Sequence, residues 1–511
     1  MRTRLRVPLV SDSDEDEQSH RPNGNASADT DASTCGAFPF PKMTDYEAFL
    51  EGKRHRASDH GIEPMWMPDG MFDYQQHVTE YAIRKGRCAV FLDTGMGKTL
   101  IELTVAKNYL EHTGKPTLIL TPLAVAFQFI KEAAKFGIAD IQYSKDGKHD
   151  AGIVVCNYER LDKFKAEEFG CVVLDESSIL KNFDGAIKSE VTQFMRKAQY
   201  RYLFTATPSP NDFIELGTSS EALGYMGYTD MLGRFFTNNE GGTLAPQNIG
   251  TKWILKGHAV DGFFAWVSSW SVSARKPSDI GFDDSRHVLP ALNVVRHSVK
   301  NDENLVVDGQ IQLFNQIARR LTEVRVENNQ TVHKRCDKAV ELTAGHDCSV
   351  YWCNLNNEGD LIESMDKEAV QVKGGMSIEK KEEILLAFSA GEIKRLITKP
   401  KITAFGLNWQ HCAHTVYFPT FSYEQYYQSI RRFWRFGQTK PVTVHFIAAE
   451  TEGAVVANLR RKEADADRMA AAMILHMADL SSSAVRGSVR TVPDYNPTQP
   501  MVLPGFLKEF A

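Results

Sequence analysis

The sequence predicts an α/β protein of two lobes, each a parallel sheet flanked by helices, with a largely helical connector between them. Three observations carry this expectation. Short apolar, β-branched runs alternate with helical stretches from about residue 70 to 225, and again from 345 to 450. These runs lack polar alternation, which suits strands buried on both faces. A glycine-rich segment ending in Lys-Thr follows the first run and opens a helical stretch, the setting of a phosphate-binding loop.

Composition narrows the class. Of 511 residues, 42% are hydrophobic and 24% charged, which excludes a wholly disordered, collagen-like or disulfide-framework chain. The formal net charge is -6, so any nucleic-acid binding must use a local basic surface. No apolar run approaches the roughly 18 residues that span a bilayer, and the N-terminus lacks the apolar stretch of a secretory signal. The expectation is a cytoplasmic protein with no membrane contact. The eight cysteines include no C-x-x-C pair. Cys348, Cys353, His411, Cys412 and His414 form the only tight groupings, and reduced core thiols explain the cysteines better than zinc.

Along the chain, residues 1–42 carry the acidic block SDSDEDE and read as a disordered tail. A first α/β lobe is expected over 43–225, with strands at Cys88–Leu92, Thr117–Leu120, Ile153–Cys156, Cys171–Leu174 and Tyr202–Phe204. Thr99–Leu110 reads as a helix stopped by Gly114 and Pro116. Residues 226–335 read as a connector or insertion, helical over Asp302–Val326. A second lobe is expected over 336–480, with strands at Cys348–Cys353, Ala369–Val372, Arg395–Thr398, Thr415–Phe418 and Val442–Ile447, closed by a helix over Glu452–Met477. Residues 481–511 read as a loose tail.

Three segments carry chemistry. In FLDTGMGKT (91–99), Gly95 and Gly97 let backbone N–H groups close around phosphate oxygens, Lys98 offers an ammonium to them, and Thr99 offers a hydroxyl to Mg²⁺. A glycine turn with a surface lysine is the plainer alternative, and the strand–loop–helix setting argues against it. The G-x-x-x-x-G-K-[ST] pattern fails at its first position, Leu92. In CVVLDESS (171–178), an apolar strand ends in two acids. Asp175 suits the Mg²⁺ shell, and Glu176 suits orienting an attacking water. In QSIRRFWRFGQ (428–438), Arg431, Arg432 and Arg435 have spacings that share a helical face. They suit either a transferring phosphoryl group or a basic, aromatic-rich surface.

Together these residues resemble a superfamily-two helicase, on the Swi/Snf-type DNA translocase branch, with a likeness to small stand-alone phage and prophage versions. The resemblance covers about residues 70–460. It implies two RecA-like P-loop lobes with ATP and Mg²⁺ between them. Within FDYQ (72–75), Tyr74 would pack on adenine and Gln75 would bond its edge. Thr94, Gly95, Met96, Gly97, Lys98, Thr99 and Gln428 would complete the ATP site, with Thr99 and Asp175 on the metal. Thr121 and Pro122 in LILTPL, and Tyr158 in NYE, would lie on the nucleic-acid side. Thr205 and Thr207 in TATP, and Gly406 in GLNW, would couple hydrolysis to lobe movement. DESSILKN (175–182) resembles D-E-A-H-x-L-K-N with Ser177 and Ser178 substituted, and GGMS (374–377) with Phe388 and Gly391 resembles the G-x-x-S…F-x-x-G block. Gln428, Arg432, Arg435, Gly437 and Gln438 match Q-x-x-x-R-x-x-R-x-G-Q. This makes Arg432 and Arg435 the finger candidates and Arg431 an extra arginine beside Trp434, which stands where a His is usual.

The implied catalytic set is therefore Lys98, Asp175, Glu176, Arg432 and Arg435, acting in a duplex-DNA translocase that contacts DNA without regard to sequence. A strand-separating DNA or RNA helicase is one alternative. An ATP-switched subunit that recruits a nuclease, methylase or replication protein is another, with the terminal tails as docking segments or as plain termini. Trp409, Phe433 and Trp434 suit core packing better than base stacking.

Overall fold

The computed structural model describes residues 59–122, 125–181, 186–209, 212–238, 253–300, 306–307, 310–311, 330–403, 407–420, 422–450 and 453–486. All described residues lie within one compact unit. The tails expected over 1–42 and, beyond residue 486, over 481–511 fall outside them, as does Gly406.

The first lobe starts with the helix Asp73–Lys85, followed by β1 (Arg87–Leu92), β2 (Thr117–Thr121), β3 (Ile141–Tyr143), β4 (Ile153–Asn157), β5 (Cys171–Asp175) and β6 (Tyr200–Thr205). β7 (Phe236–Asn238) and β8 (Trp253–Leu255) form a separate antiparallel pair. β9 (Ser271–Ala274) returns to lie beside β1. The sheet order is β3-β4-β2-β5-β6-β1-β9, with every pairing parallel. Period-two alternation sends Cys88, Val90 and Leu92 into one core and Ala89 and Phe91 into the core on the opposite face. That two-sided burial explains why the strands read as unbroken apolar runs.

The second lobe contains β10 (Leu292–Val299), a short antiparallel pair β11 (Val306–Val307) and β12 (Gln310–Ile311), then β13 (Ser349–Trp352), β14 (Ala369–Gln371), β15 (Arg395–Thr398), β16 (His414–Tyr417) and β17 (Val442–Ala449). Its sheet is ordered β10-β17-β16-β13-β15-β14, again all parallel. Val350 and Trp352 enter one core, and Tyr351 and Cys353 the other. Trp409 and Phe433 are fully buried in the first of these.

Three expectations are corrected. The segment 226–335 is not one connector: β9 completes the first sheet and β10 the second, so the passage between sheets shrinks to the stretch after Ala274 and before Leu292. The helix expected over Asp302–Val326 gives way at 306–307 and 310–311 to the β11–β12 pair; its other residues lie outside the described set. The arginines of 431–435 do not share a helix, because the helix Tyr423–Ile430 ends before them and the chain turns.

The closing helix runs Gly453–Arg486, about 50 Å at 1.5 Å per residue. Val455 and Leu459 join the second lobe's core, whereas Met469 and Met473 join the first lobe's. Arg275 pairs with Asp467 at 2.7 Å on the same route. One element is thus cemented into both lobes. Among the described residues, no helix is long and apolar enough to cross a membrane.

Candidate active site

Between β1 and the helix Lys98–Thr113 the loop turns on Gly95 (φ 88°) and Gly97 (φ 79°). A Cβ on Gly97 would meet Gln75 Nε2 at 2.0 Å, and one on Gly95 would meet the Phe436 backbone at 2.9 Å. Only glycine fits both the backbone angle and the space. Lys98 Nζ donates to the carbonyls of Leu92 (2.8 Å) and Asp93 (3.3 Å). Burial lowers its pKa, against the pull of Glu176 and Asp93.

β5 delivers the acids. The Thr121 hydroxyl donates to Asp175 Oδ2 at 2.8 Å, and the Tyr158 hydroxyl donates to the Asp175 carbonyl at 2.6 Å. Burial, then the neighbouring Glu176, pushes the Asp175 carboxyl up to about 6. Glu176 has φ 55°, the one positive φ among described non-glycine residues. An L residue held there marks a conformation imposed by its surroundings. Its Oε1 accepts from Ser178 (2.9 Å) and Thr205 (2.7 Å), and Thr207 N donates to Thr205 Oγ1 at 3.0 Å.

The second lobe supplies the opposite wall. Arg432 Nη1 donates to the Leu407 carbonyl at 2.7 Å, and Arg435 Nη1 donates to Asn408. Burial, then Arg435, lowers Arg432 to about 9; burial, then Arg431, lowers Arg435 to about 10. Thr94, Gly95, Gly97, Lys98, Thr99, Pro122, Asp175, Glu176, Arg432 and Arg435 all line one cleft of about 260 Å³ between the lobes. Gln428 is buried, and neither end of its amide has a partner. The Thr99 hydroxyl and Asp175 carboxylate are hard oxygen donors in one cleft, a set that fits Mg²⁺. Elsewhere among the described residues, no cluster of three or more His, Cys, Asp or Glu is placed to hold a metal.

Several residues lie elsewhere than expected. Tyr74 is buried, with its hydroxyl between the Met96 carbonyl and His287 Nε2, both at 3.0 Å, so its ring face is not offered to a base. Gln75 spends its amide inside the chain: Nε2 donates to Met96 O at 3.1 Å and Oε1 accepts from Phe72 N at 3.0 Å. A buried amide must be satisfied, and here the loop backbone satisfies it. Met96 packs into the core rather than the cleft. Thr121 and Tyr158 are buried supports of Asp175, not nucleic-acid-facing groups. Sequence reasoning missed Asn408, Gln410 and Phe436 in the cleft, and Glu102 beside it. Glu102 is fully buried with no partner on either oxygen, and burial, then Asp175, holds its carboxyl well above the usual range. Only its place one helical turn after Lys98 hinted at this.

Residues 72–215 match the family model of the DEAD/DEAH box helicase, and residues 334–437 that of the helicase conserved C-terminal domain. The mouse DNA annealing helicase and endonuclease ZRANB3 is 27% identical over 171 residues, covering 30% of this chain and 16% of that protein. The SWI/SNF-related matrix-associated actin-dependent regulator of chromatin subfamily A-like protein 1 of Xenopus tropicalis is 24% identical over 164 residues, covering 30% of this chain and 17% of that protein. The chain thus spans less than a fifth of these two relatives. The solved Sulfolobus solfataricus SWI2/SNF2 ATPase core in complex with dsDNA aligns over 84% of this chain and 99% of that one, at 17% identity and a TM-score of 0.39. A helicase family domain matched in each lobe and a SWI/SNF-related relative together support a superfamily-two helicase of the Swi/Snf type.

Proposed function

We propose that the chain is an ATP-driven motor that moves along duplex DNA without reading its sequence. One observation carries the reading: Lys98, Thr99, Asp175 and Glu176 from the first lobe share a cleft with Arg432 and Arg435 from the second. In this reading the loop amides and Lys98 hold the phosphates, and Lys98 gives up the Leu92 and Asp93 carbonyls to do so. Thr99 and Asp175 hold Mg²⁺, which supplies charge neutralisation on the phosphates. Glu176, fixed by Ser178 and Thr205, orients the attacking water. Arg432 and Arg435 meet the charge on the transferring phosphoryl group. Burial and arginine neighbours weaken their hold on protons, and an anion between them relieves that. Because the site needs both lobes, nucleotide favours their closure and product release frees them.

Thr205 ends β6 beside Glu176, Thr207 follows it, and both relay the state of the site; the same role is assigned to Gly406. DNA as the track is supported by the likeness to a DNA annealing helicase, and the overall negative charge favours contacts through backbone amides, hydroxyls and a few cations.

The test is steady-state ATP hydrolysis without polymer, then with duplex DNA, single-stranded DNA and RNA, alongside Lys98→Ala and Glu176→Gln. Duplex stimulation, lost in both variants and steeply weakened by salt, supports the reading. Best stimulation by single strands or RNA moves it to a strand-separating helicase. A rate indifferent to every polymer defeats the motor and leaves an ATP-switched recruiting subunit.

A further inference from the structure

We propose that Arg431 is a positioning residue that ties the phosphate-binding loop to the second lobe through Asp93. This rests on the ATP reading above. Arg431 is the extra arginine of its motif, and it turns away from the cleft that Arg432 and Arg435 line. Its Nη2 meets Asp93 Oδ2 at 2.6 Å, an ion pair whose side chains are 13% and 8% exposed. Tyr427 donates its hydroxyl to Asp93 Oδ1, which also accepts from Thr94 N at 2.6 Å. Arg431 further lies over the rings of Trp434 (4.5 Å) and Tyr427 (5.1 Å).

The spacing explains how one element does this. Glu424, Tyr427 and Arg431 fall at i, i+3 and i+7, and Arg431 caps the helix with helical backbone angles (φ -70°, ψ 0°). All three therefore share the face turned to the first lobe, where Glu424 meets Lys181 and the other two meet Asp93.

Asp93 is the junction. Its side chain takes its cation and one hydroxyl donor from the second lobe, and its carbonyl, with that of Leu92, holds Lys98. A carboxylate this buried needs its cation and donor. When the lobes part, Asp93 loses both, and the loop that carries Lys98 loses its anchor. Closure therefore reaches Lys98 through backbone, separately from the cleft arginines. The geometry accounts for a basic residue beside the finger pair with no place in the cleft.

The experiment compares Arg431→Gln, Arg431→Lys, Asp93→Asn and the Asp93→Asn/Arg431→Gln double variant in the full chain. Duplex-stimulated kcat and KM for ATP are measured, together with backbone hydrogen exchange without nucleotide. A coupling of ordinary size predicts that each neutralising variant lowers kcat about ten-fold with a smaller change in KM, and that the double variant is no worse than the poorer single. Arg431→Lys recovers part of the loss. Amides of 94–97 and of 423–431, in different lobes, lose protection together. Multiplying kcat losses, or exchange that rises only around the substituted residue, overturns the proposal. If Arg431→Gln does not fold, Tyr427→Phe removes a single donor to Asp93, and the same paired loss of protection is expected in weaker form. Should wild type hydrolyse no ATP with any polymer, the ATP reading falls, and the exchange result still decides whether the latch exists.

Discussion

The Thr205 hydroxyl donates to Glu176 Oε1 at 2.7 Å, joining the end of β6 to the residue just past β5. Thr205 is 1% exposed, so no water replaces that donor if it is removed. Glu176 also holds an uncommon backbone angle, φ 55°, and its carboxylate direction depends on Thr205 and Ser178 together. Thr205→Val keeps shape and deletes the donor. It is expected to lower kcat for ATP about ten-fold with KM unchanged, because a positioned base is lost and binding is not. Steady-state kinetics on the variant check this. An equal rise in KM would assign Thr205 to nucleotide binding instead.

Gly97 and Gly114 both have positive φ, 79° and 63°, yet substitution should separate them. An added Cβ at Gly97 strikes Gln75 Nε2 at 2.0 Å, whereas at Gly114 nothing lies within 4 Å. Gly114→Ala is expected to cost about 1–2 kcal/mol of stability from backbone strain alone. Gly97→Ala is expected to pay that strain and also displace Gln75 from the Met96 carbonyl, deforming the loop. Nucleotide binding by calorimetry should vanish in Gly97→Ala and persist in Gly114→Ala.

What was legible in the sequence follows burial. Strands such as Cys171–Asp175 are covered on both faces and read as plain apolar runs. β9 (SVSA) and β10 (LNVVRHSV) each lie at one edge of their sheet; the first is built of small residues, and the second is largely exposed. Neither has the two-sided apolar demand that makes a strand visible. The cleft residues of the two lobes were readable because phosphate chemistry restricts residue types. The inward direction of Thr121 and Tyr158 was not, since a motif fixes position along the chain and pairing fixes which way a side chain points. Leu120 pairs with Leu174, which sets Thr121 beside Asp175. The arginine spacing was correct, but its structural reading was not: separations of three and four are met by the turn after Ile430 as well as by a helix.

The second lobe holds a fully buried ion pair. Arg335 Nη1 meets Glu358 Oε1 at 2.7 Å, with both side chains 0% exposed. Glu358 Oε2 also accepts from the backbone of Asn354 (2.7 Å) and Leu355 (2.8 Å), so it caps the helix Asn356–Met365. Glu358→Ala strands a buried guanidinium and uncaps that helix. A loss of about 3–5 kcal/mol is expected, read by urea unfolding. Glu358→Leu with Arg335→Met should recover much of it, because the uncompensated charge is gone.

Acid stability should depend on the histidines that join β10 to β17. His297 Nε2 and His445 Nδ1 lie 3.1 Å apart, and Val295 pairs with His445 in register. Burial, then His297, lowers His445 to about 4; burial, then Lys338, lowers His297. Above the ordinary histidine value near 6.5 both states of the chain hold these rings neutral, and the pair has no effect on stability. As pH falls below that value the unfolded chain takes up protons that the folded chain refuses, so stability declines, and the decline levels off only near pH 4. Partial exposure of His445 screens part of this, leaving a shallow slope. The melting temperature is therefore expected to drop between pH 7 and pH 5, and His445→Gln, which keeps a polar side chain without a titrating ring, should flatten that drop. An unchanged slope would remove the pair from the acid response.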